Sequence, residues 1–123
     1  MIPITKSILK MKPEINEMLD AIKYVEDALY VFGGKWKLQI LVSMYAGSKR
    51  FRDLKNSIPK ITSRVLSKEL KDLEANKLIQ RTIISTFPLG IEYSLTEYTN
   101  SLQPVITGIV NWGMNHRQKI MEK

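Results

Sequence analysis

The segment from Phe51 to Leu78 constrains the fold more than any other part of the chain. It holds a short helical pattern, then Pro59, then a longer helical pattern that begins near Thr62. A proline cannot continue a helix, and it biases the preceding residue, here Ile58, away from the helical region. The hydroxyl of Thr62 can cap the second helix, and Asn76 is predicted to end it in a left-handed conformation. The segment therefore predicts two helices joined by a tight turn.

The second of these helices has two faces of different chemistry. With about 3.6 residues per turn, Leu66, Leu70 and Leu73 lie within about 60° of one another, and the opposite face is basic and rich in hydroxyls. The major groove of DNA admits such a helix, whose Arg and Lys side chains can reach guanine O6 and N7 or neutralise phosphates. Helix-turn-helix proteins contact base edges with the N-terminal half of this helix. The predicted base-reading residues are Thr62, Ser63, Arg64, Ser67 and Lys68. The alternative is an ordinary amphipathic surface helix.

The positive charge of the chain is concentrated around the same segment. The net charge is +7, and residues 33–90 contain 12 basic and 4 acidic side chains, whereas the two flanking regions are close to neutral. Clustering of this kind is typical of a surface that binds a polyanion, although a solvated basic face kept for solubility is the alternative. The predicted phosphate contacts are Lys49, Arg50, Arg52, Lys71, Arg81 and Thr86.

The N-terminal part of the chain predicts an arm followed by helices. Residues 1–12 are predicted to form the arm and residues 13–32 a helical region, which the pattern leaves open as one helix or two. The pair Gly33-Gly34 ends this region. Residues 35–78 form the predicted helix-turn-helix core, whose first helix spans residues 35–45.

A hairpin and a final helix are predicted after the core. Residues 79–95 predict the hairpin, or wing, with a five-residue turn over residues 86–90 that contains Pro and Gly. The helical period returns over residues 96–123. Because Pro104 is tolerated only near the start of a helix, residues 97–101 should form a separate turn or a kinked first segment.

The composition argues against several kinds of chemistry. The chain has no cysteine and one histidine, His116, so disulfides and cysteine-based zinc sites are excluded, and no metal or cofactor is predicted. The acidic residues offer no isolated pair of the kind used for acid–base catalysis, so no enzyme activity is predicted. No apolar run reaches the roughly 20 residues needed to span a bilayer, and no signal peptide is apparent, so we expect no membrane partner and a cytoplasmic location.

These elements together predict a mainly α chain with a small β-hairpin, in the α+β class: one winged helix-turn-helix domain over residues 1–123 with N- and C-terminal dimerisation helices. Three motifs carry a resemblance at this point: GGKWKLQIL, the RF-x-x-L that follows Gly47, and I-x-x-RVLS-x-x-L-x-x-LE in the second helix. From Tyr24 to His116 the chain resembles the HxlR-type transcriptional regulators of the wider MarR winged-helix group.

The resemblance implies a homodimer that binds a palindromic operator and controls transcription, more commonly by repression. The first and last helices would pair across the two-fold axis. The alternative is that the apolar stripe of the last helix serves only the core of its own chain. The implied interface residues are Leu19, Ile22, Leu102, Ile106, Ile109, Trp112 and Gly113. The alternative function is a winged-helix protein-interaction module that binds no DNA.

The chain departs from the pattern of this family at two positions. Lys23 stands where members typically carry a cysteine, which some use to sense oxidants, so thiol sensing is excluded here. Gly90 stands where the family tends to place an arginine in the wing, so wing contacts should be weaker or come from other residues. An unidentified small-molecule effector is a further prediction. Its predicted lining is Met44, Tyr45, Phe87, Tyr93 and Tyr98.

Overall fold

Five α-helices, one 3-10 helix and one β-hairpin make up the computed structural model, which describes residues 14–122. The predicted mainly α class with a small hairpin is confirmed. The predicted arm over residues 1–12 and the first residue of the predicted helical region, Pro13, lie outside the described residues. The elements are α1 (Ile15–Phe32), α2 (Lys37–Tyr45), α3 (Phe51–Ser57), α4 (Ser63–Ala75), β1 (Ile79–Thr86), β2 (Leu89–Leu95), the 3-10 helix (Glu97–Leu102) and α5 (Gln103–Met121).

The first helix, α1, is one continuous helix, which answers the question that the sequence pattern leaves open. It ends at Gly33, whose backbone N–H donates a hydrogen bond to the carbonyl of Leu29 at 2.7 Å. None of its side chains is buried. It forms a unit of its own, separate from the unit that begins at Lys35.

The second unit is built around an apolar core to which every helix from α2 to α5 contributes. Ile40, Leu54 and Leu66 are fully buried. Full burial of a side chain of this size stabilises a fold by about 1.5–3 kcal/mol, so these residues fix α4 against α2 and α3. The core is completed by Leu41, Met44, Ile58, Ile61, Leu70, Leu73, Leu78, Ile79 and Ile106.

The two ends of α4 differ in how well the sequence predicts them. The predicted N-cap is confirmed, because the N–H of Val65 donates to Thr62 Oγ1 at 3.2 Å. The prediction for Asn76 is wrong: its φ is −89°, and the left-handed residue is Lys77, with φ 65°. The N–H of Lys77 donates to the carbonyl of Glu74 at 2.9 Å and the N–H of Leu78 to the carbonyl of Leu73 at 3.0 Å, and this closure places the left-handed residue one position later than predicted. The amide of Asn76 caps the carbonyl of Asp72 instead, at 3.0 Å.

The hairpin has a shorter tip than predicted. Its antiparallel register runs from Ile79 opposite Leu95 to Thr86 opposite Leu89, with a shift between Ile83 and Ser85 that leaves Ile84 unpaired. The tip beyond the last pair consists of Phe87 and Pro88, which are joined by a cis peptide bond. The predicted five-residue turn is therefore wrong, because residues at both of its ends pair across the hairpin.

Gly90 lies at a close approach of the two strands of this hairpin. It lies opposite Ser85, and a Cβ at position 90 would be 2.5 Å from Ser85 Oγ and 3.2 Å from a side-chain carbon of Ile84. Gly90, which departs from the family pattern, therefore lies where the two strands approach closely. A larger side chain such as arginine would force a shift there.

A short polar junction joins the hairpin to the C-terminal helix. The predicted separate segment before Pro104 is confirmed as the 3-10 helix, and Pro104 falls in the first turn of α5. The carbonyl of Leu78 accepts hydrogen bonds from the N–H of Thr96, at 3.1 Å, and from the hydroxyl of the buried Thr99. This one carbonyl therefore ties the end of α4 to the end of β2 and to the 3-10 helix. None of the described helices is both long and apolar enough to cross a membrane.

Candidate nucleic-acid interface

The two faces of α4 are separated as the sequence predicts. Leu66, Leu70 and Leu73 are at most 2% exposed. The opposite face is open to solvent: Thr62, Ser63, Arg64, Lys68 and Lys71 are exposed, and Ser67 is half-buried. The structure therefore brings all five predicted base-reading residues together on the N-terminal half of one firmly anchored helix.

Arg64 is the residue on this face best placed to meet an acceptor on another molecule. Its side chain is exposed and forms no ion pair with any residue between 14 and 122. Ser67 and Lys68 lie three and four residues later, so they are its neighbours on the helix surface. The two short serines, Ser63 and Ser67, leave room for close approach of a groove wall.

Lys68, in contrast, already has partners on its own helix. Its Nζ lies 3.2 Å from Asp72 Oδ2 and 3.7 Å from Glu69 Oε1. The hydrogen bond to Asp72 raises the pKa of Lys68, and the same hydrogen bond lowers the pKa of Asp72 below its ordinary value of 3.8. Because the pKa of Asp72 is lowered, the contribution of the pair to stability is present above that ordinary value and is lost only as the pH falls through the lowered pKa. Both groups are charged at neutral pH.

A residue that the sequence pattern does not single out, Lys37, joins α2 to this pair. Its side chain is 12% exposed, and its Nζ lies 2.7 Å from Glu69 Oε2 and 3.4 Å from Asp72 Oδ2. We refer to Lys37, Lys68, Glu69 and Asp72 as the charge network. Its carboxylates come from α4 and its deeper ammonium from α2, so the network fixes how α4 lies on the rest of the unit.

The Lys37–Glu69 pair yields a prediction about stability. Lys37→Met should lower the free energy of unfolding by about 2 kcal/mol, because the Glu69 carboxylate, which is nearly buried, then loses its closest cation. This value lies between those typical of exposed and of buried ion pairs. Urea denaturation measures this loss. The matched control is Lys119→Met, whose partner Glu122 lies 3.7 Å away with both side chains mostly exposed; it should change stability by less than about 0.5 kcal/mol. Equal losses in the two variants would contradict a structural role for Lys37.

The predicted phosphate contacts fall into three places. Lys49, Arg50 and Arg52 lie at the start of α3, where the carbonyl of Lys49 accepts a hydrogen bond from the N–H of Tyr93 in the hairpin at 2.8 Å. Arg50 already forms an ion pair within the chain, since its Nε lies 3.8 Å from Glu92 Oε2.

The other three predicted phosphate contacts lie on or beside the hairpin. Lys71 of α4 and Arg81 of β1 line one hollow of about 250 Å³, together with Ser67 and Tyr93. Thr86 is exposed at the tip of the hairpin. The hollow thus places basic groups on both sides of the junction between α4 and the wing.

The apolar stripe of α5 is divided between the core and solvent. Ile106 is 7% exposed and Leu102, the last residue of the preceding 3-10 helix, is half-buried, whereas Ile109 and Trp112 are 45% and 67% exposed and Gly113 is also exposed. Trp112 stacks on His116 with ring centroids 4.8 Å apart. In α1, considered separately, the predicted interface residues Leu19 and Ile22 are about half exposed. A single chain therefore leaves most of the predicted interface uncovered.

A second hollow, of about 500 Å³, lies between α2, the end of α3 and α5. Val42, Ala46, Ile58 and Ile109 contribute apolar walls, and three serines add hydroxyls: Ser43 Oγ lies 2.9 Å from Ser48 Oγ and 2.5 Å from Ser57 Oγ.

The structure does not gather the predicted effector lining around this hollow. Met44 is buried in the core, and Phe87 is 99% exposed at the hairpin tip. The hydroxyl of Tyr45 donates to the carbonyl of Thr99 at 3.0 Å, and burial raises the pKa of Tyr45. Within residues 14–122, no group of three His, Asp or Glu side chains is arranged to hold a metal ion.

Comparison with known proteins identifies the family. The HxlR-like helix-turn-helix family matches residues 31–121. YdeP of Bacillus subtilis, an uncharacterized HTH-type transcriptional regulator, is 40% identical over 96 residues, covering 78% of this chain and 75% of YdeP. An uncharacterized HTH-type transcriptional regulator of Methanothermobacter thermautotrophicus is 37% identical over 102 residues, covering 80% of this chain and 78% of that protein.

Solved structures agree with this assignment. The crystal structure of ytcD, described as a putative HTH-type transcriptional regulator, is 40% identical with a TM-score of 0.72, covering 76% of this chain and 96% of that chain. The reduced form of the redox regulator HypR is 38% identical with a TM-score of 0.73, covering 78% of this chain and 95% of that chain. These relatives are described as HTH-type transcriptional regulators and, for HypR, as a redox regulator. The winged helix-turn-helix prediction is confirmed, and the chain belongs to the HxlR-like helix-turn-helix family of DNA-binding transcriptional regulators.

Proposed function

We propose that this regulator is a repressor that binds a palindromic operator as a homodimer, with α4 in the major groove. The observation that carries the proposal is the exposed face of α4, where an exposed Arg64 lies among short hydroxyl side chains while three leucines anchor the opposite face. A helix held in this way can present side chains to base edges without moving relative to its domain.

The proposed contacts divide by chemistry. The first two turns of α4 would read bases through Arg64, Ser67 and their neighbours Thr62, Ser63 and Lys68, because the N-terminal half of such a helix meets the floor of the groove. The basic groups at the start of α3 and in the hollow beside the wing would contact phosphates, which position the protein but carry no sequence information. Thr86 at the tip of the wing adds a hydroxyl that suits a phosphate oxygen.

The homodimer proposal follows from apolar surface that a single chain leaves open. On α5, Ile109 and Trp112 are exposed, and α1 buries none of its side chains. Several exposed apolar side chains on one helix favour an interaction site on that helix. Two-fold pairing of identical surfaces is the commonest arrangement, and it would place two copies of α4 on two half-sites related by the same symmetry. The operator would then be palindromic, and a dimer that occupies promoter DNA represses by exclusion.

Within this proposal residues 1–123 act as one domain, with the helix-turn-helix core over residues 35–78, the wing over 79–95 and the C-terminal segment over 96–123. We retain the predicted cytoplasmic location, because the chain must share a compartment with its DNA. For the predicted small-molecule effector, the hollow beside Ser43 is the best-supported position, since it combines apolar walls with hydroxyl groups.

Salt-dependent DNA binding tests the proposed function. DNA from upstream of the gene should bind with an affinity that falls steeply with salt, by a log–log slope of about −0.9 for each phosphate neutralised, and about 10³-fold or more tighter than random DNA of equal length. Fluorescence anisotropy across a series of NaCl concentrations measures both quantities. A slope near zero, or no binding at low salt, would favour the protein-interaction module instead.

A further inference from the structure

The side chain of Lys68 is paired with carboxylates of its own helix, and this pairing affects its availability to DNA. Asp72 Oδ2 accepts from two ammonium groups at once, Lys68 at 3.2 Å and Lys37 at 3.4 Å. Glu69 also faces both lysines, one through each carboxylate oxygen. The charge network thus contains two cations and two anions, and it is neutral as a whole.

The two lysines of the network differ in their freedom to leave it. Lys37 is 12% exposed and makes the shortest contact, at 2.7 Å, so it is a fixed member. The side chain of Lys68 is 71% exposed and belongs to the face of α4 proposed to meet DNA. If Lys68 departs, Asp72 and Glu69 still keep Lys37 between them, so neither carboxylate is left without a cation.

We propose that Asp72, assisted by Glu69, acts as an intramolecular substitute for a DNA phosphate that occupies Lys68 in the free protein and thereby suppresses binding to non-operator DNA. This inference rests on the proposed function, because it assigns a specificity-determining role to a residue beside the DNA-binding face. Asp72 contacts no DNA in this scheme; it acts through Lys68.

The physical basis is an exchange of acceptors. On random DNA, Lys68 would exchange a carboxylate for a phosphate, so it gains little and releases few additional counterions. Asp72 would also remain near the phosphates as a like charge, which opposes binding. On the operator, a guanine edge aligned by the other α4 contacts offers Lys68 acceptors that a phosphate alone does not. The carboxylate therefore penalises random DNA more than the operator, which raises specificity.

The variant Asp72→Asn separates this role from ordinary helix stabilisation. It should tighten binding to random DNA by about 3- to 10-fold near 0.1 M salt and steepen the salt slope by about 0.9 per subunit, because Lys68 can then neutralise one more phosphate, from which the condensed cation is released. Operator binding should tighten less, so the ratio of operator to random affinity should fall. The variant should remain folded, because the Asp72 side chain is 42% exposed. Thermal melting would check this.

Two controls make the test specific. Asp53→Asn adds the same charge on α3, where Asp53 is exposed and makes no ion pair with Lys68; its salt slope should equal that of the wild type. In a Lys68→Gln background, Asp72→Asn should no longer steepen the slope.

The outcomes separate the two proposals. An unchanged slope in Asp72→Asn, an equal effect of Asp53→Asn, or an effect that persists without Lys68 would overturn the role of Asp72 while leaving the DNA-binding proposal intact. If the wild-type protein binds neither operator DNA nor random DNA, both the proposed function and this inference are overturned.

Discussion

Replacing Arg64 with alanine should weaken operator binding by about 1–3 kcal/mol at each half-site, or roughly 2–6 kcal/mol for a symmetric dimer. The physical reason is that the exposed guanidinium can donate two hydrogen bonds to one guanine, a contact that alanine removes without disturbing the fold. Titration of the operator by fluorescence anisotropy measures the loss, and the urea midpoint should stay near that of the wild type.

The same variant distinguishes a base contact from a phosphate contact. If Arg64 reads a base, Arg64→Ala should lose discrimination at one base pair in each half-site, as tested with operators substituted one pair at a time. The matched control is Arg52→Ala, which should weaken operator and random DNA alike and reduce the magnitude of the salt slope by about 0.9 per site. Equal losses for Arg64→Ala on operator and random DNA would identify it as a phosphate contact.

A charge placed on the exposed apolar stripe of α5 should strongly weaken the proposed homodimer. Ile109→Glu should weaken the homodimer about 100-fold or more, because an unpaired carboxylate would be buried against apolar surface. Operator affinity should fall in parallel, since a monomer meets only one half-site. Analytical ultracentrifugation measures the assembly state, and circular dichroism should show unchanged helix content, because Ile109 is 45% exposed in the single chain.

A charge on the other side of α5 provides the control for this prediction. Asn111 is exposed and lies about 160° from Ile109 around the helix, so Asn111→Glu should leave the dimer intact. If Ile109→Glu remains dimeric, the interface lies elsewhere; a monomeric wild type at micromolar concentration would contradict the homodimer altogether.

The sequence predicted the features that depend on short-range patterns. The N-cap at Thr62, the leucine face of α4 and the segment before Pro104 each follow from residues within a few positions of one another. The stripe and cap of α4 were sufficient to place the candidate base-reading residues on one exposed face.

Features set by contacts between distant parts of the chain could not be predicted in this way. Lys37 and Glu69 are separated by 32 positions, and no local pattern distinguishes Lys37 from other surface lysines. The left-handed residue after α4 lies one position later than predicted, because the closing hydrogen bonds, rather than the preference of Asn76, decide which residue is left-handed. The hairpin tip was overestimated because cross-strand pairing extends through Leu89 and Gly90.

The shared acceptor at Leu78 has a consequence for which operators can be bound. The carbonyl of Leu78, between α4 and β1, accepts hydrogen bonds from Thr96 after the wing and from Thr99 in the 3-10 helix that leads into α5. In the proposed homodimer, a tilt of α5 would therefore carry both DNA-contacting elements with it. Half-site spacing would then be dictated by the dimer rather than adjusted by the wing. One extra base pair between half-sites rotates one of them by about 35° around the DNA axis. The proposed dimer would therefore select operators by half-site spacing as well as by sequence.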